Sequence, residues 1–314
     1  MNRRPQISGW WGALWLVFFV FLGLPRGAAE EAGDETLRIA TYNLRNYLVM
    51  DRLVEGQWRP EYPKPEAEKA AVRRAILAID ADILLLQEMG PRPFLRELRE
   101  DLSRAGLDYP YAVHLEAADE ARHLAALSRI EPAAVHRHVD LDFKYFESRL
   151  PVKRGLLELV FGDPEDAGLQ VFVVHLKSRW SDEARDPESA LRRAREARAC
   201  RNRIIERTHD RGRTRFLVAG DFNDHPGSAP LRRFERRGTL EIARRVEARD
   251  SSELLWTYFY EKASRYGAVD GFLAGPGLSG TIVGGRARIV DGSWLLEGSD
   301  HRPVYLDIEL PLLR

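Results

Sequence analysis

At 314 residues, with 48 basic against 48 acidic side chains and 44% apolar content, the chain can bury a large core and is not a disordered protein. The even charge gives no sign of a strongly cationic nucleic-acid-coating protein, though it leaves nucleic acid open as a substrate. A single cysteine, Cys200, excludes an intramolecular disulfide, so stability rests on packing.

Residues 1–29 read as a signal peptide: Arg3-Arg4, an apolar stretch from Trp10 to Leu24, then Gly27-Ala28-Ala29 as a small-residue cleavage site. The stretch is shorter than the roughly 20 residues that span a bilayer comfortably. The chain is therefore expected to be exported, periplasmic or secreted, with a membrane anchor through residues 10–24 as the alternative. Residues 30–36 read as an acidic linker, and residues 37–312 as one domain.

Within that domain short apolar runs alternate with helical periodicity, the mark of the α/β class. A strand is expected from Leu37 to Tyr42, followed by a long loop from Asn46 to Lys64. That loop carries Tyr47, Trp58 and Tyr62 with Pro60 and Pro63, and is a candidate substrate wall. Helices are expected over Pro65–Ile79, Pro93–Ala105 and Pro187–Thr208. The last is rich in arginine between Arg192 and Arg207, which predicts a solvated face, and it holds Cys200 as an inert thiol. Further strands are expected over Ile83–Leu86, Leu156–Val160, Val171–Leu176, Phe216–Ala219, Ala268–Leu273 and Val304–Leu310.

Strand after strand ends in a polar group of one kind of chemistry. The first delivers Asn43; Ile83-Leu84-Leu85-Leu86 delivers Gln87-Glu88; Val171-Phe172-Val173-Val174 delivers His175. Phe216-Leu217-Val218-Ala219 runs into Gly220-Asp221-Phe222-Asn223, after which come Val269-Asp270 and finally Ser299-Asp300-His301. Taken singly, each group fits a turn or a core histidine; together they equip a metal-assisted phosphoester hydrolase. Hard divalent cations take oxygen ligands, which points to Glu88 and Asp300. An imidazole moves a proton best when a carboxylate fixes its second nitrogen, which pairs Asp270 with His301. Asp221 is expected to position water or bind metal, and Asn43 and Asn223 to donate amide hydrogens to phosphate oxygens. His175, if protonated, would stabilise the transition state. No His-Glu-x-x-His, Gly-x-Ser-x-Gly or phosphate-cradling glycine loop competes with this reading.

The motifs Thr41-Tyr42-Asn43, Gln87-Glu88, His175-Leu176-Lys177-Ser178, Gly220-Asp221-Phe222-Asn223, Val269-Asp270 and Ser299-Asp300-His301-Arg302-Pro303-Val304 resemble, in this order, the endonuclease/exonuclease/phosphatase superfamily. The resemblance runs from about Leu37 to Leu310. It implies a four-layer α/β sandwich, two packed mixed β-sheets flanked by helices. By the same resemblance Glu88 and Asp300 are metal ligands, His301 with Asp270 an acid/base pair, Asp221 and Asn223 the groups positioning water and phosphate, and His175 and Asn43 phosphate binders. Leu127-Ser128-Arg129 resembles a family strand end near the site. Met89-Gly90 departs from the Thr-Lys that follows Gln-Glu in abasic-site enzymes, and nothing matches the aromatic membrane-inserting hairpin of secreted sphingomyelinases. The expected protein is a monomeric phosphodiesterase dependent on Mg2+, with Mn2+ or Ca2+ as substitutes. Nucleic acid stands ahead of lipid or inositol phosphates as substrate, and a catalytically inactive binding module is the reading from a different class.

Overall fold

The central strands are near-continuous apolar runs, which suit strands covered on both faces. The computed structural model describes residues 36–163 and 168–310, all within one compact unit; the signal peptide expected over 1–29, and the linker except Thr36, lie outside the described residues.

In chain order the first elements are β1 (Thr36–Tyr47), β2 (Val49–Val54), β3 (Gln57–Pro63), α1 (Glu66–Ile79), β4 (Ile83–Met89) and α2 (Arg92–Arg104). They are followed by β5 (Tyr111–Leu115), β6 (His123–Ser128), β7 (Ala134–His138), β8 (Asp142–Tyr145), β9 (Ser148–Pro151), β10 (Leu156–Phe161) and β11 (Leu169–His175). After α3 (Ala190–Arg207), β12 (Phe216–Asp221) and α4 (Ala229–Glu235) come β13 (Arg236–Arg237), β14 (Leu240–Glu241), β15 (Arg244–Val246) and β16 (Ala248–Arg249). The chain continues through β17 (Tyr258–Tyr260), β18 (Arg265–Gly267), β19 (Asp270–Ala274), β20 (Ala287–Ile289) and β21 (Val304–Glu309).

Two mixed sheets form, in the orders β16-β20-β21-β1-β4-β6-β5 and β15-β19-β12-β11-β10-β7. Alternate residues of each strand face alternate layers. Ile83 and Leu85 join Leu157, Leu159, Val171 and Val173 in the core between the sheets. Leu84 and Leu86 pack outward on Val72 and Ile76 of α1 and Leu98 of α2. Phe172 and Val174 pack outward on Cys200 and Ile204 of α3 and Phe234 of α4. The result is the expected four-layer sandwich of helices, sheet, sheet and helices.

Register brings the strand ends together. β1 runs parallel to β4 with Asn43 beside Gln87, and antiparallel to β21 with Thr41 beside Val304. In the other sheet His175, Asp221 and Asp270 lie in one row across β11, β12 and β19. Gly220 makes that row possible: its φ is +139°, and a Cβ there would stand 2.0 Å from the Val174 carbonyl oxygen.

Several expectations change. The Asn46–Lys64 segment is not a loop but a hairpin of β2 and β3, with Leu53 opposite Trp58. Glu55 and Gly56 turn it with φ of +51° and +76°, and Pro60 and Pro63 fit because β3 pairs on one side only. Helix α3 begins at Ala190 rather than Pro187, because the Asp186 carboxylate accepts the Leu191 and Arg192 N–H groups at 3.1 and 2.9 Å. Its arginines are not simply solvated: Arg193 is buried against Asp224 at 3.0 Å, and Arg207 reaches Glu158 at 2.8 Å. Cys200 is buried, and burial pushes its thiol far above the ordinary range, which makes it inert. Arg129 stands at the wrong end of its sheet for substrate, since Ser128 pairs with Ile83 at the start of β4 and Arg129 itself binds Asp80 and Asp82.

Candidate active site

Both sheets contribute strand ends to one cluster. Asn43, the last residue of β1 before its register with β4 shifts, donates from Nδ2 to Asp221 Oδ2 at 3.0 Å, and its Oδ1 accepts the Arg45 N–H at 3.0 Å. Asn223, held at φ +52°, donates its backbone N–H to Asp221 Oδ1 at 2.8 Å. Its Nδ2 donates to Asp221 Oδ2 at 3.0 Å and to the Leu176 carbonyl at 2.9 Å. The two asparagines, expected to face phosphate, thus direct these amide hydrogens at Asp221 and Leu176.

Glu88, the penultimate residue of β4, has φ +58°. Its Oε2 accepts the Asn46 N–H at 2.8 Å and lies 3.9 Å from Arg122 Nε, while Oε1 lies 3.8 Å from His175 Nε2. His175 Nε2 is also 3.5 Å from Asp221 Oδ2, and its Nδ1 is enclosed without a hydrogen-bond partner. On the other side of Asp221 stands His301, with Nε2 at 4.0 Å from Asp221 Oδ2 and Nδ1 at 2.8 Å from Asp270 Oδ2. The Asp270-His301 pair expected from the sequence is formed. Asp270 is fixed through its N–H to Thr257 Oγ1, and its Oδ1 is enclosed without a partner. Asp300, partly exposed, lies 3.9 Å from Arg45 Nε.

The two histidines sit in opposite fields. Burial pushes His175 well below its ordinary value, and the charges of Arg154, His301, Arg122 and Lys177 push the same way. Both effects disfavour the protonated form in which His175 was expected to act. Burial also acts to lower His301, but Asp270, Asp221 and Asp300 outweigh it and raise the imidazole to about 10. Asp221 itself is pushed upward by burial and by Asp270.

Ligating atoms of Asp221, Asp270 and His301 lie within 4.8 Å of one another, a spacing that could hold a metal ion. Their hydrogen bonds assign them otherwise: Asp270 Oδ2 is spent on His301, and Asp221 accepts from both asparagines. Among the described residues Glu88 Oε1 and both Asp300 oxygens accept no hydrogen bond. These oxygens, like the unpartnered Asp270 Oδ1, keep lone pairs that a hard cation could use.

Sequence reasoning missed Arg45, Asn46, Arg122, Thr257 and Tyr258, whose ring lies 4.7 Å from that of His301. Arg45 and Asn46 follow Asn43 closely enough to have been found by reading past the strand end. The other three carry no local signal.

The chain matches the model of the Endonuclease/Exonuclease/phosphatase family over residues 40–301. A comparison with curated proteins gives no match. Among solved structures it is similar to an endonuclease/exonuclease/phosphatase from Bacteroides vulgatus, at 15% identity and TM-score 0.60, covering 88% of this chain and 99% of that one. Sphingomyelinase C from Streptomyces griseocarneus is similar at 16% identity and TM-score 0.56, over 87% and 99% of the two chains. The human Nocturnin catalytic domain with bound sulfate anion is similar at 15% identity and TM-score 0.55, over 87% and 93%. These likenesses are of fold.

Proposed function

Because this chain belongs to the endonuclease/exonuclease/phosphatase family, whose members hydrolyse phosphoesters, we propose that it is an exported, divalent-metal-dependent phosphodiesterase acting on nucleic acid. One observation carries the reading: Asp221 stands between a neutral His175 and a His301 oriented by Asp270, with the unspent Oε1 of Glu88 alongside. Asp270 accepts the Nδ1–H of His301 and, with Asp221 and Asp300, holds the imidazole protonated, so that its Nε2–H donates to a phosphoryl or leaving oxygen while the Asp221 carboxylate takes the proton of the attacking water. Asn43 and Asn223 fix the Asp221 carboxylate. His175 offers a neutral imidazole to a phosphoryl oxygen, without a charge of its own to give up. Glu88 and Asp300 would hold the cation, which draws charge off the phosphoryl oxygens when bound.

Arg45 and Arg122 beside the site support an anionic polymer as substrate. Next to Tyr258 in the chain, Phe259 stacks on Tyr266 at 4.7 Å, and Tyr266 meets Trp256 edge-on at 5.0 Å; such rings suit unpaired bases. The second reading, a lipid phosphoesterase, is favoured by Leu53 and Trp58, which face each other on the β2-β3 hairpin and are each 67% exposed.

A substrate panel on the purified protein tests this: duplex and single-stranded DNA, RNA, sphingomyelin, inositol phosphates and bis-p-nitrophenyl phosphate, each with Mg2+, Mn2+, Ca2+ or chelator. Nuclease activity that chelation abolishes and Mg2+ restores is expected; activity on lipid headgroups alone would sink the nuclease reading. Export is tested by N-terminal sequencing of the protein from its host. A start just after Ala29 is expected, and a start at Met1 or Asn2 contradicts cleavage.

A further inference from the structure

The two flanks of α3 treat their arginines differently. At 3.6 residues per turn Arg192, Glu196, Arg203 and Arg207 fall on one flank, and each of these arginines reaches a carboxylate: Glu196 at 3.9 Å, Asp140 at 2.9 Å and Glu158 at 2.8 Å. Arg198 and Arg201, three residues apart, share the other flank, and among the described residues neither forms an ion pair. Arg201 is only 5% exposed, yet its guanidinium makes a single hydrogen bond, from Nε to Asn202 Oδ1 at 2.9 Å.

The neighbouring helix adds charge of the same sign. Leu231 and Phe234 of α4 share a core with Ala197, Cys200 and Ile204 of α3, and the two helices pack on each other. Arg232 and Arg233 of α4 and Arg236 and Arg237 of β13 are all exposed. Burial and the charges of Arg237, Arg198 and Arg233 all push Arg201 below its ordinary value. Arg232 and Arg236 line a cavity of about 520 Å³ together with Arg244 and Arg245 of β15, facing only the carboxylates of Glu235 and Glu241. Glu241 is taken by Arg244, and Arg245 Nη1 is enclosed without an acceptor. Equal totals of acid and base over the chain thus conceal a local cationic surface.

That surface starts at the site edge. Arg193 donates from Nε to Asp224 Oδ2 at 3.0 Å and from Nη1 to the Lys177 carbonyl at 3.1 Å, and these partners closely follow Asn223 and His175 in the chain. At 1.5 Å per residue, Arg198 and Arg201 stand roughly 8 and 12 Å further along α3. Guanidiniums that repel one another and keep unspent donors cost stability unless an anion arrives. Phosphate matches their fork geometry. A bilayer would present a flat plane of headgroups, whereas Arg201 is recessed beside α4 and Arg245 lies in a cavity; a flexible strand reaches both. We infer that the α3–α4 face is an exosite for the phosphate backbone of a polynucleotide whose reacting part lies in the active site. This rests on the nucleic-acid reading and deepens it, and its test does not require turnover.

Binding of a labelled single strand of roughly 30 nucleotides, and of a dinucleotide too short to reach α3, is followed by fluorescence anisotropy in chelator over a series of salt concentrations. The proteins are wild type, R198Q/R201Q and R233Q/R237Q, full chain, with a thermal melt of each. Each double variant should bind the long strand about tenfold more weakly, and its salt slope should fall by roughly 0.7 for each arginine that meets a phosphate. Dinucleotide binding and kcat/KM on bis-p-nitrophenyl phosphate should stay within about twofold, while KM for the long strand rises with kcat held. Should R198Q/R201Q not fold, R233Q/R237Q, whose arginines are exposed, decides alone. Long-strand affinity and salt slope unchanged in that variant overturn the exosite, even if nuclease activity is found and the proposed function holds. Binding to phosphatidylglycerol vesicles that is lost in the variants, with strand binding intact, would make the face a membrane-docking surface and also overturn it. Wild type that binds the strand through these arginines but cleaves no phosphoester would defeat the proposed function and leave the exosite standing.

Discussion

Two buried histidine-carboxylate clusters share the second sheet, and they are built on opposite principles. On β10, Glu158 accepts from His138 Nε2 at 2.8 Å, from Gln170 Nε2 at 2.9 Å, and from Arg207 Nε and Nη2 at 2.8 and 3.0 Å. Both oxygens are satisfied and a cation balances the charge. At the ends of β11, β12 and β19, by contrast, Asp270 Oδ1 and His175 Nδ1 are enclosed without partners, and Asp221 and Asp270 crowd one imidazole. Burial and pairing with histidine are common to both clusters. What separates them is unspent hydrogen-bonding capacity and uncompensated like charge, which a fold tolerates where chemistry uses it.

The largest effect should come from the unsatisfied cluster. H301A and E88A are each expected to lower kcat/KM by about a thousandfold, within the range for a general acid-base group, with melting temperatures close to wild type. Phosphodiester hydrolysis surviving in both variants would end the mechanism proposed here. D270N should lose activity on a similar scale yet keep or gain stability in urea unfolding, because it removes one of two like charges; a large loss of stability would make Asp270 a structural residue.

E158Q should do the reverse. Leaving Arg207 and His138 without their anion is expected to cost about 3–5 kcal/mol in urea unfolding, while kcat/KM stays within about twofold, surface-like in its indifference to chemistry. The same cluster sets a pH signature. Burial acts to raise Glu158, but hydrogen bonds from His138 and Arg207 hold it down to about 2. Its folded value lies below its unfolded one, so the stability it contributes is present above the ordinary carboxylate range and is lost as pH falls toward about 2. The stability gap between wild type and E158Q should narrow over that interval; a gap independent of pH would refute the assignment. The smallest effect belongs to R129A, at the far end of the first sheet from the site, which should shift kcat/KM by less than about twofold and stability by under about 1 kcal/mol.

By itself the sequence determined the layers and most of the site's membership. Central strands buried on both faces must be apolar throughout, so Ile83 to Leu86 and Val171 to Val174 announce themselves, and the polar residues that end them announce the site edge. It did not reveal the β2-β3 hairpin, whose prolines argue against a strand until one knows that β3 lacks a second neighbour. Nor could it assign protonation: His175 and His301 are equally plain imidazoles, and Arg154 and Arg122 on one side and Asp270 and Asp221 on the other set them apart. Asn43 and Asp221 lie 178 positions apart in the chain yet share a 3.0 Å hydrogen bond. Periodicity is a local property written along the chain, whereas charge and hydrogen bonding depend on distance in space, and only the packing of the two sheets fixes that.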